Sequence, residues 1–326
     1  MLNLVNVCCT SPCVALTSNS NFGIVHTCGK VFHASFKYGM KIIGPALLLF
    51  ALFLIAIIAI LFIKYVLPML SGDSYFLYLV NLLFGLVIVF NIYFNYICCA
   101  LVPPGSPPSN KDPGKYLGEK IDVIDGRKVR KVNYNLMIKP GVVYKYCKQC
   151  KSVKPPRAHH CSITGKCILE FDHFCPWVGQ TVGYRNYRYF VLFMVYLFTG
   201  CMYCLVITTT LFLRMTEKDK VRAFSDEITI DTAVVVIFTI TLAGAISVGI
   251  LLFWHAYLLI SNQTTVEFYL NFEASSEAKS HNLFWKNPYD KGWRKNIMRV
   301  FGDMSMWDAV KPRYVVLHDY TDNGVI

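Results

Sequence analysis

The chain has 326 residues, of which 55% are hydrophobic and only 16% charged, with a net charge of +12. A soluble domain of this length carries more charge and shorter apolar runs, so composition excludes an ordinary soluble fold. Four long, predominantly apolar stretches contain no charged residue: Ile42–Ile63, Tyr75–Val102, Tyr189–Leu213 and Thr232–Ile260. Each is long enough to cross a hydrocarbon core of ~30 Å as a helix.

Taken in order, residues 1–41 read as a cytosolic N-terminal arm with a little local order. Met1–Ala15 lacks a basic leader and its apolar stretch is broken by Asn3, Asn6 and Thr10, so the first span reads as retained. Cys8, Cys9, Cys13 and Cys28 lie in the arm, as reduced thiols or acylated ones. Residues 42–102 hold the first two spans. Asn81, Asn91 and Asn95 in the second are expected to face a neighbouring helix, and Cys98 and Cys99 close it, where acylation is one reading.

Residues 103–188 are polar and rich in Lys and Arg, beginning with the Pro- and Gly-rich loop Pro103–Gly114. Short strands or ordered coil are expected between Glu119 and Tyr146, at Ile121–Ile124 and Val142–Tyr144. Residues 189–260 hold the third and fourth spans. In the region 261–326, the aromatic and basic run Asn287–Gly302 predicts a short amphipathic piece at the bilayer interface. Basic residues are absent from the turn Ser71–Ser74 and dense between the second and third spans. The positive-inside bias therefore places that loop and both termini in the cytosol. There, clustered Cys and His favour metal or catalysis over disulfides.

The stretch Tyr146–Phe190 concentrates these residues. Cys147-x2-Cys150, His160 and Cys167 form a zinc-ligand set in which four protein ligands close the tetrahedron, as in a structural site. Asp172-His173-Phe174-Cys175 follows. A carboxylate, an imidazole and a thiol this close fit an activated nucleophile, with His173 taking the thiol proton and Asp172 orienting the ring. On the residues alone, catalysis and metal ligation remain open for Cys175.

The stretch resembles the cysteine-rich domain of the DHHC family of protein S-acyltransferases (palmitoyltransferases). The resemblance is carried by CKQC, KPPRAHHCS, Cys167, DHFCPW, VGYRN and YF, with Asp112-Pro113-Gly114 as the DPG motif, Thr264-Thr265-Val266-Glu267 as the TTxE motif and Gly292–Gly302 as the C-terminal motif. It implies an α-helical integral membrane protein with four transmembrane helices and a small cytosolic zinc-binding domain between the second and third. It implies Cys175 as nucleophile, His173 as base and Asp172 as its orienter, with Thr265 bonded to Asp172 and Asn296 in a structural role. Palmitoyl-CoA or a similar long-chain acyl-CoA would acylate Cys175, and cytosolic cysteines of membrane-proximal protein substrates would take the chain. Lys154 and Arg157 are candidates for the CoA phosphates, a solvated basic face being the alternative. An endomembrane location, Golgi or endoplasmic reticulum, is expected, with no nucleic-acid partner. The competing reading is a catalytically weak, zinc-stabilised membrane scaffold.

The sequence also departs from the family. A second zinc site would need Cys161 with a Cys at 164, a His at 174 and a Cys at 181, where this chain has Thr164, Phe174 and Thr181. One thiolate does not hold a structural zinc, so one Zn2+ is expected.

Overall fold

The computed structural model describes residues 22–107, 120–125, 128–133, 144–218 and 227–302. The DPG motif and the first three cysteines lie outside them. The described elements are α1 (Phe22–Leu61), a π-helical turn (Phe62–Val66), α2 (Leu67–Ser71), α3 (Tyr75–Leu101), eight short strands, α4 (Tyr187–Lys218), α5 (Glu227–Ile260), α6 (Thr265–Ser280) and α7 (Trp293–Phe301). The strands are β1 (Lys120–Asp125), β2 (Lys128–Asn133), β3 (Tyr144–Cys147), β4 (Ser152–Lys154), β5 (His159–Cys161), β6 (Lys166–Ile168), β7 (His173–Cys175) and β8 (Gln180–Val182).

Among the described residues, four helical segments are long and apolar enough to span a membrane: Lys37–Ser71, Tyr75–Leu101, Tyr187–Leu213 and Asp231–Ile260. The shortest have 27 residues, or about 40 Å at 1.5 Å per residue, more than the core requires. The cysteine-rich segment lies between the second and third, so this is a multi-pass membrane protein of the expected class. The first helix corrects one expectation. It is continuous from Phe22, within the segment expected to be an arm with a little local order before a span starting at Ile42. Lys30, Lys37 and Lys41 interrupt the apolar pattern but not the helix, and Met40 packs on a buried cluster in the cysteine-rich segment. Tertiary contact of this kind is invisible to a hydropathy window.

The chain divides into two compact units, one of residues 47–101 and 188–257, the other of 1–46, 102–187 and 258–326. The first is the helical unit. Its core joins Phe62, Val66 and Leu67 to Val234 and Ile237, and Tyr96 stacks on Phe193 with ring centroids 4.3 Å apart. Of the three asparagines in α3, Asn81 does meet a neighbouring helix, accepting from the Tyr203 hydroxyl at 2.7 Å. Asn91 and Asn95 donate to their own helix, at the carbonyls of Val87 and Asn91, and Asn95 is buried.

The second unit holds the strands. One sheet has the order β2-β1-β3-β4, with β1 and β3 parallel and the other pairs antiparallel. Strand β1 lies where Ile121–Ile124 predicted it. Two hairpins follow, β5–β6 and β7–β8. Such short strands bury little surface by themselves, and a cluster of Cys161, Ile163, Ile168, Phe171 and Val266 supplies their common core. The C-terminal elements of this unit are α6 and α7. Thr264 caps α6: its hydroxyl accepts from Glu267 N–H while the Glu267 carboxylate accepts from Thr264 N–H. This reciprocal pair satisfies two donors that a helix start leaves open. Within the run Asn287–Gly302, residues Trp293–Phe301 form α7, which buries Asn296 and leaves Trp293 about half exposed.

Candidate functional site

The metal-ligand set comes from four places in the second unit. Cys147 ends β3, Cys150 lies in the turn after it, and His160 and Cys167 face each other as a cross-strand pair of β5 and β6. Their ligand atoms all lie within 4.8 Å of one another. The sulfurs of Cys147, Cys150 and Cys167 stand 3.5, 3.2 and 4.0 Å from His160 Nδ1. A tetrahedral zinc with Zn–S of about 2.3 Å and Zn–N of about 2.0 Å separates its ligand atoms by about 3.5–3.8 Å, so these residues fit the ion. Cys150 N–H also donates to Cys147 Sγ at 3.4 Å, which fixes the turn. When bound, zinc would join β3–β4 to β5–β6.

The positions of a second zinc site do not fit a metal. Cys161 Sγ accepts a hydrogen bond from the Thr181 hydroxyl at 3.3 Å. Phe174 packs on the apolar cluster that includes Cys161, and Thr164 Oγ1 is buried without a hydrogen-bond partner among the described residues. Packing replaces ligation at this point.

Strand β7 sets up the third group. Alternation along a strand puts the side chains of His173 and Cys175 on one face and that of Phe174 on the other. Phe174 goes to the apolar cluster, leaving imidazole and thiol together. His173 Nδ1 lies 2.6 Å from Asp172 Oδ2, so Nε2 is the ring nitrogen available for proton exchange. Asp172 is 1% exposed. Burying a charge this deeply requires compensation, and the start of α6 provides it. Thr265 N–H donates to Oδ1 at 2.6 Å and Thr265 Oγ1 to Oδ2 at 3.1 Å. A carboxylate at a helix N-terminus also faces the positive end of the helix dipole. Partial burial would push the His173 imidazole down, but its hydrogen bonds to Asp172 and Cys175, with their negative charges, raise it to about 10.

After Cys175 the chain turns through Pro176–Gly179, where Gly179 N–H donates to Cys175 C=O at 2.9 Å. Gly179 has φ of +74°, and a Cβ on Gly44 of α1 would come within 2.9 Å of Gly179 Cα. Helix and loop thus touch backbone to backbone. The next turn is held by Asn186, whose side chain accepts from Gly183 N–H at 2.8 Å and donates to Thr181 C=O at 2.9 Å.

Asn296 is 2% exposed and donates to Ile260 C=O and Asp290 Oδ1 at 2.6 and 2.7 Å, while accepting from Lys291 N–H. It ties α7 to the end of α5, an arrangement suited to a structural role. That same hydrogen bond, followed by one from Gly292 N–H, holds the Asp290 carboxyl below its ordinary range.

Arg157 is placed differently from the sequence expectation. Its side chain is 2% exposed, and Nε and Nη2 donate to the two oxygens of Glu267 at 2.6 and 2.7 Å. Nη1 donates to Asn262 Oδ1 at 3.0 Å. A guanidinium enclosed in this way does not reach a soluble phosphate. Lys154, at the end of β4, keeps partial exposure. The sequence reading assigned Thr264–Glu267 as a motif and missed that it opens a helix, although Thr-x-x-Glu before an apolar pair is a capping signal.

Residues 143–271 match the family model described as DHHC palmitoyltransferase. The chain is 32% identical over 172 residues to Probable protein S-acyltransferase 16 of Arabidopsis thaliana, covering 52% of this chain and 59% of that relative. It is 32% identical over 175 residues to Palmitoyltransferase PFA3 of Yarrowia lipolytica, covering 49% and 43%. To Palmitoyltransferase ZDHHC2 of Rattus norvegicus it is 34% identical over 164 residues, covering 49% and 40%. The chain spans about half the length of the curated relatives it matches. Over residues 143–271, then, this chain carries the domain of the DHHC palmitoyltransferase family.

Proposed function

We propose that the protein is a membrane protein S-acyltransferase that moves a long-chain fatty acyl group, palmitoyl in the simplest case, from acyl-CoA to cysteines of proteins at the cytosolic face. The observation that carries this reading is the grouping of Asp172, His173 and Cys175 on one hairpin, with Asp172 gripped twice by Thr265. Relatives named as palmitoyltransferases support the acyl class.

In the reaction, the Cys175 thiol passes its proton to His173 and the sulfur attacks the thioester carbonyl of acyl-CoA. The bond from that carbon to the CoA sulfur breaks, the CoA thiolate takes the proton from His173, and acyl-Cys175 remains. A substrate cysteine then gives its proton to His173 and attacks acyl-Cys175, whose sulfur leaves and is reprotonated. The same contacts with Asp172 and Cys175 that raise His173 favour the imidazolium that proton transfer from the thiol forms, and Asp172 keeps the ring oriented and offsets its positive charge. One structural zinc on Cys147, Cys150, His160 and Cys167 would stiffen the domain without touching substrate. Lys154 is retained as the phosphate candidate. The basic loop between the second and third spans supports a cytosolic active domain and cytosolic termini.

The deciding experiment incubates purified protein with a clickable palmitoyl-CoA. Hydroxylamine-sensitive label that disappears in Cys175→Ala is expected. Wild-type protein that carries its zinc and takes no label would instead support the scaffold reading, which the altered positions Thr164, Phe174 and Thr181 favour.

A further inference from the structure

We propose that Arg157 is a positioning residue for acyl transfer: through Glu267 and the cap of α6 it fixes the Asp172 carboxylate that orients His173. The inference rests on the acyltransferase reading for its rate prediction. Its geometry stands independently.

Four links run without a gap. Arg157 grips both Glu267 oxygens in a fork, the bidentate geometry in which a guanidinium is most directional. Glu267 Oε2 also accepts from Thr264 N–H at 2.8 Å, so the guanidinium holds the acidic half of the cap. Thr265, the first residue of α6, then gives Asp172 its two hydrogen bonds. Asp172 in turn holds His173 Nδ1.

Independent contacts fix the guanidinium itself. Besides Asn262 Oδ1, Asn262 C=O accepts from Nη2 at 3.3 Å, Glu170 lies 3.7 Å from Nη1, and the Tyr289 ring covers its face at 4.6 Å. Arg157 has a φ of +65°. A non-glycine residue stays in that region when its surroundings over-determine it. It also stands three residues before the zinc-ligand candidate His160, so one side chain joins the metal-binding hairpin to the helix start that holds the acid.

A lysine at 157 would keep the charge but could not span two carboxylate oxygens. The test uses full-length Arg157→Lys and Glu267→Gln in nanodiscs, with two readouts. In single-turnover acylation of Cys175 by palmitoyl-CoA, the maximal rate is expected to fall about tenfold, the effect of weakening one hydrogen bond to a charged group. The half-saturating concentration, its dependence on salt and the zinc content should stay as in the wild type. In the absence of acyl-CoA, the pH profile of Cys175 alkylation by iodoacetamide should be displaced in the same direction as in Asp172→Asn. The double variant should be no slower than the slower single, because both break one chain of contacts.

A raised half-saturating concentration with weaker salt dependence and an unchanged maximal rate would overturn the proposal in favour of a phosphate contact. Wild-type rate and alkylation profiles with only lowered thermal stability would overturn it in favour of a purely structural pair. If Arg157→Lys does not fold, Glu267→Gln carries both readouts, since glutamine keeps an acceptor for Thr264. If wild-type protein takes no acyl label, the acyltransferase reading fails, and the alkylation profiles still decide the role of Arg157.

Discussion

Replacing Thr265 by valine would isolate one hydrogen bond of the site. Valine keeps the branched shape and the backbone N–H, so the 2.6 Å bond to Asp172 Oδ1 persists while the 3.1 Å bond from Oγ1 to Oδ2 is lost. Hydrogen bonds to charged groups contribute about 1.5–3 kcal/mol. This one is the longer of two to the same carboxylate, and Oδ2 keeps its contact with His173. The low end, about 1.5 kcal/mol, is therefore the appropriate value. At 1.36 kcal/mol per decade the acylation rate of Cys175 should fall roughly tenfold. The assay is single-turnover transfer from palmitoyl-CoA under saturating conditions, with zinc content measured in parallel. An unchanged rate would show that Oγ1 plays no part in orienting Asp172. A loss beyond about a thousandfold, with zinc retained, would mean that Thr265 does more than donate one bond.

Further outcomes follow from the same geometry. Metal analysis of purified protein should find one zinc per chain, and Cys150→Ser should lose it together with thermal stability; two zincs in the wild type would contradict the packing of Phe174 and Thr181 around Cys161. Gly44→Ala puts a methyl group 2.9 Å from Gly179 Cα, where the neighbour is backbone and yields little. Overpacking of this kind costs about 1–3 kcal/mol, and acyl labelling should fall while zinc content holds; unaltered labelling would show that the loop after Cys175 does not depend on α1. The His173 imidazole is raised from 6.5 to about 10 by Asp172 and Cys175 against the effect of burial. A raised folded value stabilises fully below the unfolded one and is lost as pH rises through the folded one. The melting-temperature gap between wild type and His173→Gln should therefore be largest near pH 6 and close by about pH 10. A gap that widens with pH would refute the assignment.

The sequence alone determined the four spans, because unbroken apolar length is a local property that the hydrocarbon thickness reads directly. It also picked out the candidate ligand set Cys147, Cys150, His160 and Cys167 and the grouping of Asp172, His173 and Cys175, since the members of each lie close in the chain. That Thr164, Phe174 and Thr181 stand where a second metal site would need Cys, His and Cys was legible in the same way. Tertiary structure decided what depended on distant segments. Arg157 looked like one more exposed cation in a basic run, and only its partner 110 residues away shows that it is enclosed. The family resemblance implied a bond from Thr265 to Asp172, but only the fold shows that Thr265 opens a capped helix and that its backbone N–H also reaches the carboxylate across 93 residues. Chain proximity fixes which groups can act together, whereas burial and long-range hydrogen bonds fix which of them are held still.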